Sequence, residues 1–546
     1  MQVSKPGSAG PLSVDRPSRA VPASAPAGTW HWAAVLVLGG LAGLVAALGM
    51  TLLLLLFRQI LGFATPSEMV GDRLTAFISI KQFFALLDQF GGYSGLKQAG
   101  GGGVIVGQLV VGILGGLIYA AAVERDVRGQ TGRSRGALWT VIGIVLALWL
   151  LSVGLLWPVL ATNYFGLPPD TARLTTALGL LVSYSGYGVI LVLAYRALRG
   201  RTPAGLPSAA SASRRLLLVG GSGALLALVT ANLVRQLVQR ATFSYDGTEY
   251  RGDNLQPITP NDRFYTVTKN IVDPDPTTAV WRLEVGGLVD RPHTYGFDEL
   301  AGLPSTTQET TLMCISNYVG GGLMSNAVWK GLALRDLLAA AGPHPNGTQV
   351  LFYGADGYTV SYPLEKAMEP TTFVAFEMNG EPLPAHHGFP ARVLTPGLFG
   401  LNSVKWVTRI ELIDHEVKGF YAQQGWGPSF VIPTRSNFIM GNFQTAFTRD
   451  VPISVRGIAF GGNRGVARVD VSADGGQTWQ EARIDYPGTP VTWAFWTFDF
   501  LPSGPGEYHL VARATDGQGG VQTNDYRDTQ PEGANGFHSL TVGVTA

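Results

Sequence analysis

Five long uncharged apolar runs alternate with polar segments over the first 240 residues: Trp32–Phe57, Val104–Val123, Ala137–Ala161, Leu174–Ala194 and Leu216–Leu233. A helix crosses a bilayer core with roughly 20 apolar residues, so the pattern predicts about five transmembrane helices, the last short and glycine-containing. A buried core helix would explain one such run; several in succession point to a membrane. Arg125, Arg128, Arg133 and Arg135 lie between the second and third runs, and Arg196, Arg199, Arg201, Arg214 and Arg215 between the fourth and fifth. Only Asp170 and Arg173 lie between the third and fourth. The positive-inside rule places both arginine-rich loops in the cytoplasm, with the N-terminus inside and everything after residue 240 outside. The segment Arg58–Gly103 is weakly amphipathic and is expected outside, on or near the membrane surface; its pattern assigns it no role. Tyr184, Ser185 and Tyr187 in the fourth run suit either a quinone or partner contact or helix packing. Residues 1–28, rich in Pro, Ser and Ala, read as a disordered cytoplasmic tail without a cleavable signal peptide.

Beyond Gln239 the periodicity changes. Short β-rich runs (Trp281–Val285, Thr348–Tyr353, Val407–Leu412) alternate with turns, and Leu332–Ala341 carries a helical stripe. This predicts an α+β domain over residues 241–431. From about residue 432 the pattern is all-β: Ala467–Val471 alternates, Asp474-Gly-Gly476 supplies a hairpin turn, and Glu507–Ala514 alternates again. Residues 432–546 are therefore expected to form an immunoglobulin-like sandwich, behind a transmembrane domain over 29–240.

A formal net charge of +1 over 546 residues provides no global basic field for nucleic acid. Ser213-Arg214-Arg215-Leu-Leu-Leu218 fits both a twin-arginine export signal and two positive-inside arginines. The chain has one cysteine, Cys314, which cannot form an intrachain disulfide. Its thiol suits a buried apolar role, a nucleophile, a redox handle or a metal ligand. Nearby, Gly320-Gly-Gly322 would permit close backbone approach to a ligand. Farther on, His387, Arg392 and Lys405 offer donors suited to an anionic group. No zinc spacing, P-loop or dinucleotide fingerprint is present.

The order Asn261-Asp-Arg-Phe-Tyr265, Gly287-Leu-Val289, Cys314-x-x-Asn317, Trp329-Lys-Gly331, Asn379-Gly-Glu-Pro-Leu383, His387-Gly-Phe-Pro-x-Arg392, Pro396-Gly397 and Val404-Lys-Trp406 closely resembles the sulfite oxidase family of molybdenum enzymes. The resemblance covers residues 255 to 545, and the segment Val469–Trp479 is similar to that family's immunoglobulin-like dimerisation domain. It implies a molybdenum–molybdopterin cofactor with the Cys314 thiolate as protein ligand to the metal. It further implies pterin contacts from Tyr265 and Thr266 and a cofactor contact from Asp356. His387 and Arg392 would bind the pterin and its phosphate, and Ser403, Val404 and Lys405 would complete the cradle. Oxygen-atom transfer with Mo(VI)/Mo(IV) cycling follows as the expected chemistry.

Three departures from the family pattern concern the substrate. Thr266-Val-Thr-Lys-Asn270 lacks the family's sulfite-binding arginine, leaving Lys269 as the residue that could compensate; Phe376 stands for an active-site tyrosine; Tyr318 and Val319 replace arginines. These changes favour a small-molecule substrate other than sulfite, with sulfite oxidation itself and a non-catalytic, membrane-tethered binding protein as the alternatives. The expected protein is a multi-pass cell-membrane enzyme with its catalytic domain on the extracytoplasmic face, a homodimer through its C-terminal domain. It would exchange electrons with a cytochrome or membrane partner, because the chain carries no ligand set for haem or iron–sulfur clusters.

Overall fold

The computed structural model describes residues 27–128, 135–199, 209–239, 249–252, 254–439, 447–448 and 450–546. Of the expected tail, residues 1–26 lie outside this set, as do Arg133 and Arg201; so do the side chains of Arg128, Arg135 and Arg215. Seven helices lead the chain: α1 (Ala27–Leu61), α2 (Pro66–Thr75), α3 (Ile80–Gln89), α4 (Tyr93–Arg128), α5 (Arg135–Leu156), α6 (Pro169–Arg199) and α7 (Ala209–Gln239). Five of them, α1 and α4 to α7, are long and apolar enough to cross a membrane.

Helix α1 packs against α4, α6 and α7. Gly39 and Gly43 of α1 face Gly112 and Gly116 of α4 so closely that a methyl group on Gly43 or Gly116 would strike the opposing backbone. Small residues four apart are what allow two apolar helices this approach. Tyr187 donates to the Gly112 carbonyl (2.7 Å) and Tyr184 pairs with Ser152 (2.7 Å), so both hydroxyls serve packing within the bundle.

The helix ends sort into two groups. At one end Arg199 of α6 pairs with Glu124 of α4 (3.0 Å), and Asp126 accepts from the Ala137 amide at the start of α5 (2.7 Å). At the other end the α5–α6 connection meets the end of α1, where the Tyr164 amide donates to the Gly62 carbonyl (2.7 Å) and Arg58 lies over the Tyr164 ring. This second end carries the rest of the protein. The Asn163 amide donates to the Ala355 carbonyl (2.8 Å), the Asp275 amide to the Tyr164 carbonyl (3.1 Å), and the Arg282 amide to the Gly166 carbonyl (3.2 Å).

Two sheets build the next portion. One runs β2 (His293–Tyr295), β1 (Leu283–Gly287), β10 (Val407–Ile413), β5 (Gln349–Gly354), β6 (Thr359–Pro363), with β1 and β10 parallel. The other runs β3 (Thr306–Met313), β4 (Met324–Ala333), β7 (Phe373–Met378), β8 (Glu381–Pro382), with β9 (Arg392–Leu394) also paired to β7. The helix expected from Leu332 starts at Leu334, because Leu332 and Ala333 end β4 and pair with Val374 and Phe373.

The C-terminal portion is β-rich. A four-stranded sheet orders β11 (Arg435–Phe438), β13 (Ile453–Phe460), β17 (Ala494–Phe500), β16 (Arg483–Tyr486). A five-stranded sheet orders β12 (Phe447–Thr448), β19 (His538–Thr545), β18 (Gly506–Asp516), β14 (Val466–Ser472), β15 (Gln480–Glu481). Val455 and Trp496 from the first and Val471, Leu510 and Val542 from the second share one core.

Asp516 fastens this portion to the incoming chain. Its carboxylate accepts from Arg464 Nε (2.7 Å), Thr434 Oγ1 (2.7 Å) and the Gly520 amide (2.8 Å), while Arg464 also holds the Ile432 carbonyl (3.1 Å). Burial alone would raise its pKa, but Arg464, Thr434 and the amides outweigh this and lower it. The contribution to stability is thus complete above the ordinary carboxylate range and is lost as pH falls through the lowered folded-state value. Asp516→Asn is expected to cost roughly 2–3 kcal/mol near neutral pH. The gap to the wild type should close below about pH 4 in thermal unfolding followed by near-UV circular dichroism.

Candidate active site

A single cavity of about 480 Å³ lies against the cysteine, and all nine residues singled out from the sequence line it: Tyr265, Thr266, Cys314, Asp356, His387, Arg392, Ser403, Val404 and Lys405. They come from separate places. Cys314 follows the end of β3; Arg392 opens β9; Ser403 to Lys405 precede β10; Asp356 sits in the β5–β6 turn. The two sheets bring these ends together, and the cavity forms between them.

Cys314 is partly buried: it packs at the edge of the apolar cluster of Phe264, Tyr265, Leu312 and Trp329 and also lines the cavity. Its amide donates to the Leu323 carbonyl (3.0 Å), its carbonyl accepts from the Asn317 amide (3.1 Å), and Sγ lies 3.0 Å from Ser316 Oγ. Burial pushes the thiol pKa up, against the pull of Ser316, so the bare protein holds a neutral thiol there. A metal would bind the deprotonated form.

Elsewhere on the cavity wall stand cations, a neutral imidazole and the Asp356 carboxylate. His387 is buried, and its Nε2 donates to the Asn261 carbonyl (3.0 Å), which leaves Nδ1 as an acceptor. Burial, with His386 and Arg392 adding to it, drives its pKa down to about 2, so the ring is neutral. Arg392 donates from Nη1 to the His387 carbonyl (2.9 Å) and from Nη2 toward the Ser403 carbonyl (3.4 Å). Its guanidinium lies 5.1 Å from the Trp329 ring centroid. Burial lowers its pKa to about 10, which leaves it cationic at neutral pH. Lys405 donates to the His386 carbonyl (3.0 Å) and lies 4.3 Å from the Trp406 ring centroid. Asp356 Oδ2 accepts from Asn270 Nδ2 (3.1 Å) and Oδ1 from the Tyr358 amide (3.1 Å).

Arg392 Nε is buried without a hydrogen-bond partner. Such an orphaned charged donor is costly unless a ligand completes it. One thiol, an unsatisfied arginine donor and a nearby lysine around one cavity fit a group that joins a soft metal to a phosphate.

Several motif residues act behind the wall. Asn379 Nδ2 donates to Asn261 Oδ1 (2.8 Å) and to the Thr259 carbonyl (2.9 Å), and its Oδ1 accepts from the Val328 amide (2.9 Å). The Asn379 motif therefore secures the segment that carries Asn261, and with it the His387 hydrogen bond. Phe264 stacks on Tyr265 and meets Trp329 and His387 edge to face.

Three sequence expectations change here. Gly320 to Gly322 do not line the cavity; a side chain on Gly320 (φ +81°) would strike the His538 ring, and one on Gly322 the Glu249–Arg251 segment, so these glycines serve packing between parts of the protein. Lys269 reaches the cavity wall, but its ammonium is bonded to Asp72 Oδ2 of α2 (2.7 Å) and the Asp356 carbonyl (2.9 Å). Its charge is already matched and does not replace a missing arginine. Phe376 is buried in the core, and Tyr318 is exposed; neither lines the cavity.

The sequence reading missed the wall supplied by the helical half. Phe83, Phe84 and Leu87 of α3 line the cavity with Tyr421, Gln424 and Trp426. The signal was present, because Ile80, Phe83, Phe84 and Leu87 recur at helical spacing behind a Ser79–Gln82 capping box.

Residues 270–421 match the model of the oxidoreductase molybdopterin binding domain, and residues 433–542 that of the Mo-co oxidoreductase dimerisation domain. The mitochondrial sulfite oxidase of Rattus norvegicus is 33% identical over 313 residues, covering 48% of this chain and 57% of that protein. The sulfite oxidase of Gallus gallus is 33% identical over 312 residues, covering 48% of this chain and 68% of that protein. Among solved structures, the sulfane dehydrogenase SoxCD of Paracoccus pantotrophus matches with TM-score 0.47 and 27% identity, over 54% of this chain and 84% of that one. The chain thus spans little more than half the length of the rat protein.

Proposed function

Because this chain belongs to the sulfite oxidase family of molybdopterin oxidoreductases, we propose that it is a membrane-anchored enzyme whose catalytic half lies on the outer face of the cell membrane. The observation that carries this reading is the cavity itself, with one thiol, Cys314, and a phosphate-type cradle at Arg392 and Lys405. In the proposed arrangement Cys314 is the protein ligand to molybdenum. Arg392, through its unsatisfied Nε, and Lys405 hold the pterin phosphate. His387 presents Nδ1 as an acceptor to the pterin, its ring fixed by the Asn261 carbonyl. Tyr265, Thr266, Asp356, Ser403 and Val404 complete the contact surface. When bound, the cofactor supplies two-electron oxygen-atom transfer.

Three features support the membrane placement. Five helices have the length and apolarity to span. The catalytic half docks on the helix ends that carry the α1–α4 and α5–α6 connections. The arginine-rich connections follow the opposite helix ends, as the positive-inside rule asks of a catalytic half outside. The two β-sheets of the C-terminal portion suit an immunoglobulin-like dimerisation module, and electrons would pass to or from a cytochrome or a carrier in the membrane.

The test is elemental and pterin analysis of the purified full chain. About one molybdenum and one pterin per chain are expected, the stoichiometry a single thiolate ligand allows. An exported, folded chain devoid of both would overturn the reading in favour of a binding protein.

A further inference from the structure

We propose that α3, contributed by the helical half, is the specificity wall of the active site, selecting an uncharged substrate with an aromatic or branched apolar body over a small inorganic oxyanion; this rests on the enzymatic reading above. Helix α3 is amphipathic in a particular way. Ile80, Phe83, Phe84 and Leu87 form one stripe, while Lys81, Gln82, Ala85, Asp88 and Gln89 are exposed on the other side. The stripe faces the cavity, where Phe83, Phe84 and Leu87 contribute directly to its lining.

The helix is firmly placed. The Ser79–Gln82 capping box sets its start, and the Ile80 amide donates to the Gln424 carbonyl (3.0 Å). The Phe84 ring meets that of Trp426 at 6.4 Å. Ile80 and Phe84 belong to the same apolar cluster as Met313 and Ile315, the residues on either side of Cys314. Arg392 and Lys405 instead sit against Trp329 and Trp406. The apolar wall thus shares its packing with the residues that flank the thiol, where a substrate of the metal would enter.

Charge leads to the same conclusion. Among the described lining residues the lysines and arginines are Lys269, Arg392 and Lys405. Lys269 is matched by Asp72, and the other two belong to the phosphate cradle proposed above. An oxyanion beside the thiol would be desolvated against aromatic rings without an unengaged cation among the lining residues, since Arg435 behind Met313 does not line the cavity, and this is costly. A neutral molecule with an apolar body would instead gain from burial against Phe83, Phe84 and Trp426.

The experiment measures ligand binding by titration calorimetry on the molybdenum-loaded full chain, so a chain without molybdenum fails the earlier reading before this one is tested. The probes are methyl phenyl sulfoxide and dimethyl sulfoxide, which share an oxygen donor and differ in apolar body, together with sulfite. The wild type is expected to prefer the phenyl compound over both others. Phe84→Ala should reduce the preference for phenyl over methyl by roughly tenfold, the scale of one lost buried aromatic contact, with molybdenum and pterin content unchanged. Leu87→Ala is the milder variant should Phe84→Ala disturb folding, and Asp88→Ala, on the exposed side of α3, should leave binding as it is. Sulfite binding more tightly than the phenyl probe, or an unchanged preference in both Phe84→Ala and Leu87→Ala, would overturn the assignment.

Discussion

Cys314→Ser is expected to yield a chain that folds normally but retains little molybdenum, with oxidoreductase activity reduced at least about a hundredfold. That figure is the upper end of what losing an outer partner of a metal ligand costs, and here the ligand itself is removed. Serine is close in size, so Ser316, Leu323 and Asn317 keep their places around it. A hydroxyl gives up its proton to a metal far less readily than a thiol does and is a poor match for a soft metal. Pterin content separates two origins of the loss. The cradle at Arg392 and Lys405 does not depend on the thiol, so pterin should be retained in part when metal is lost. A Cys314→Ser chain that kept full molybdenum and full activity would remove Cys314 from the metal site.

Asp72→Ala should be strongly destabilising although Asp72 is not among the residues that line the cavity. Lys269 is buried and bonded to Asp72 at 2.7 Å. Burial alone would lower the lysine pKa, but Asp72 and Asp356 together with Asp273 raise it above the ordinary value, so the amine stays charged. Removing Asp72 takes away the ammonium's direct ionic partner and leaves only the longer-range pull of Asp356 and Asp273, and breaking a buried pair from one side costs up to about 3–5 kcal/mol. Because Lys269 also holds the Asp356 carbonyl beside the cavity, the loss should appear both as a lowered midpoint of thermal unfolding in detergent and as reduced cofactor retention. The pair Asp72→Leu with Lys269→Met should recover most of the stability, since replacing both charges by apolar groups of similar volume is often neutral. A single Asp72→Ala with an unchanged midpoint would show that the pair does not couple the helical half to the site.

Much of this protein can be read locally. The five apolar runs were legible because span length and lack of charge are properties of contiguous sequence. Strands β1, β5 and β10 followed from short β-rich runs, and β14 and β18 from alternation. The nine cavity residues were legible through the order of short motifs, each carrying its own chemistry. The start of the helix after β4 was misplaced because Leu332 and Ala333 satisfy a helical stripe and a strand pairing equally well, and the partner strand β7 decides between them.

What the sequence by itself determined is the apolar half, the β-rich half, the single thiol and a set of donors of a kind suited to an anionic group. Only the tertiary structure decided what those donors face. Asp72 and Lys269 are 197 residues apart, and nothing in either neighbourhood announces the other. The same holds for Gly320 against His538, and for Ile80 of α3 against Gln424 and the cluster around Cys314. Periodicity reports which side of an element is apolar, but not what that side will cover. Helix α3 carried a plain amphipathic stripe that suited a membrane surface. Packing set that stripe against the cavity, where the Phe83 and Phe84 rings are partly buried beside Trp426 and Ile315, a placement that only the distant segments supplying those partners could decide.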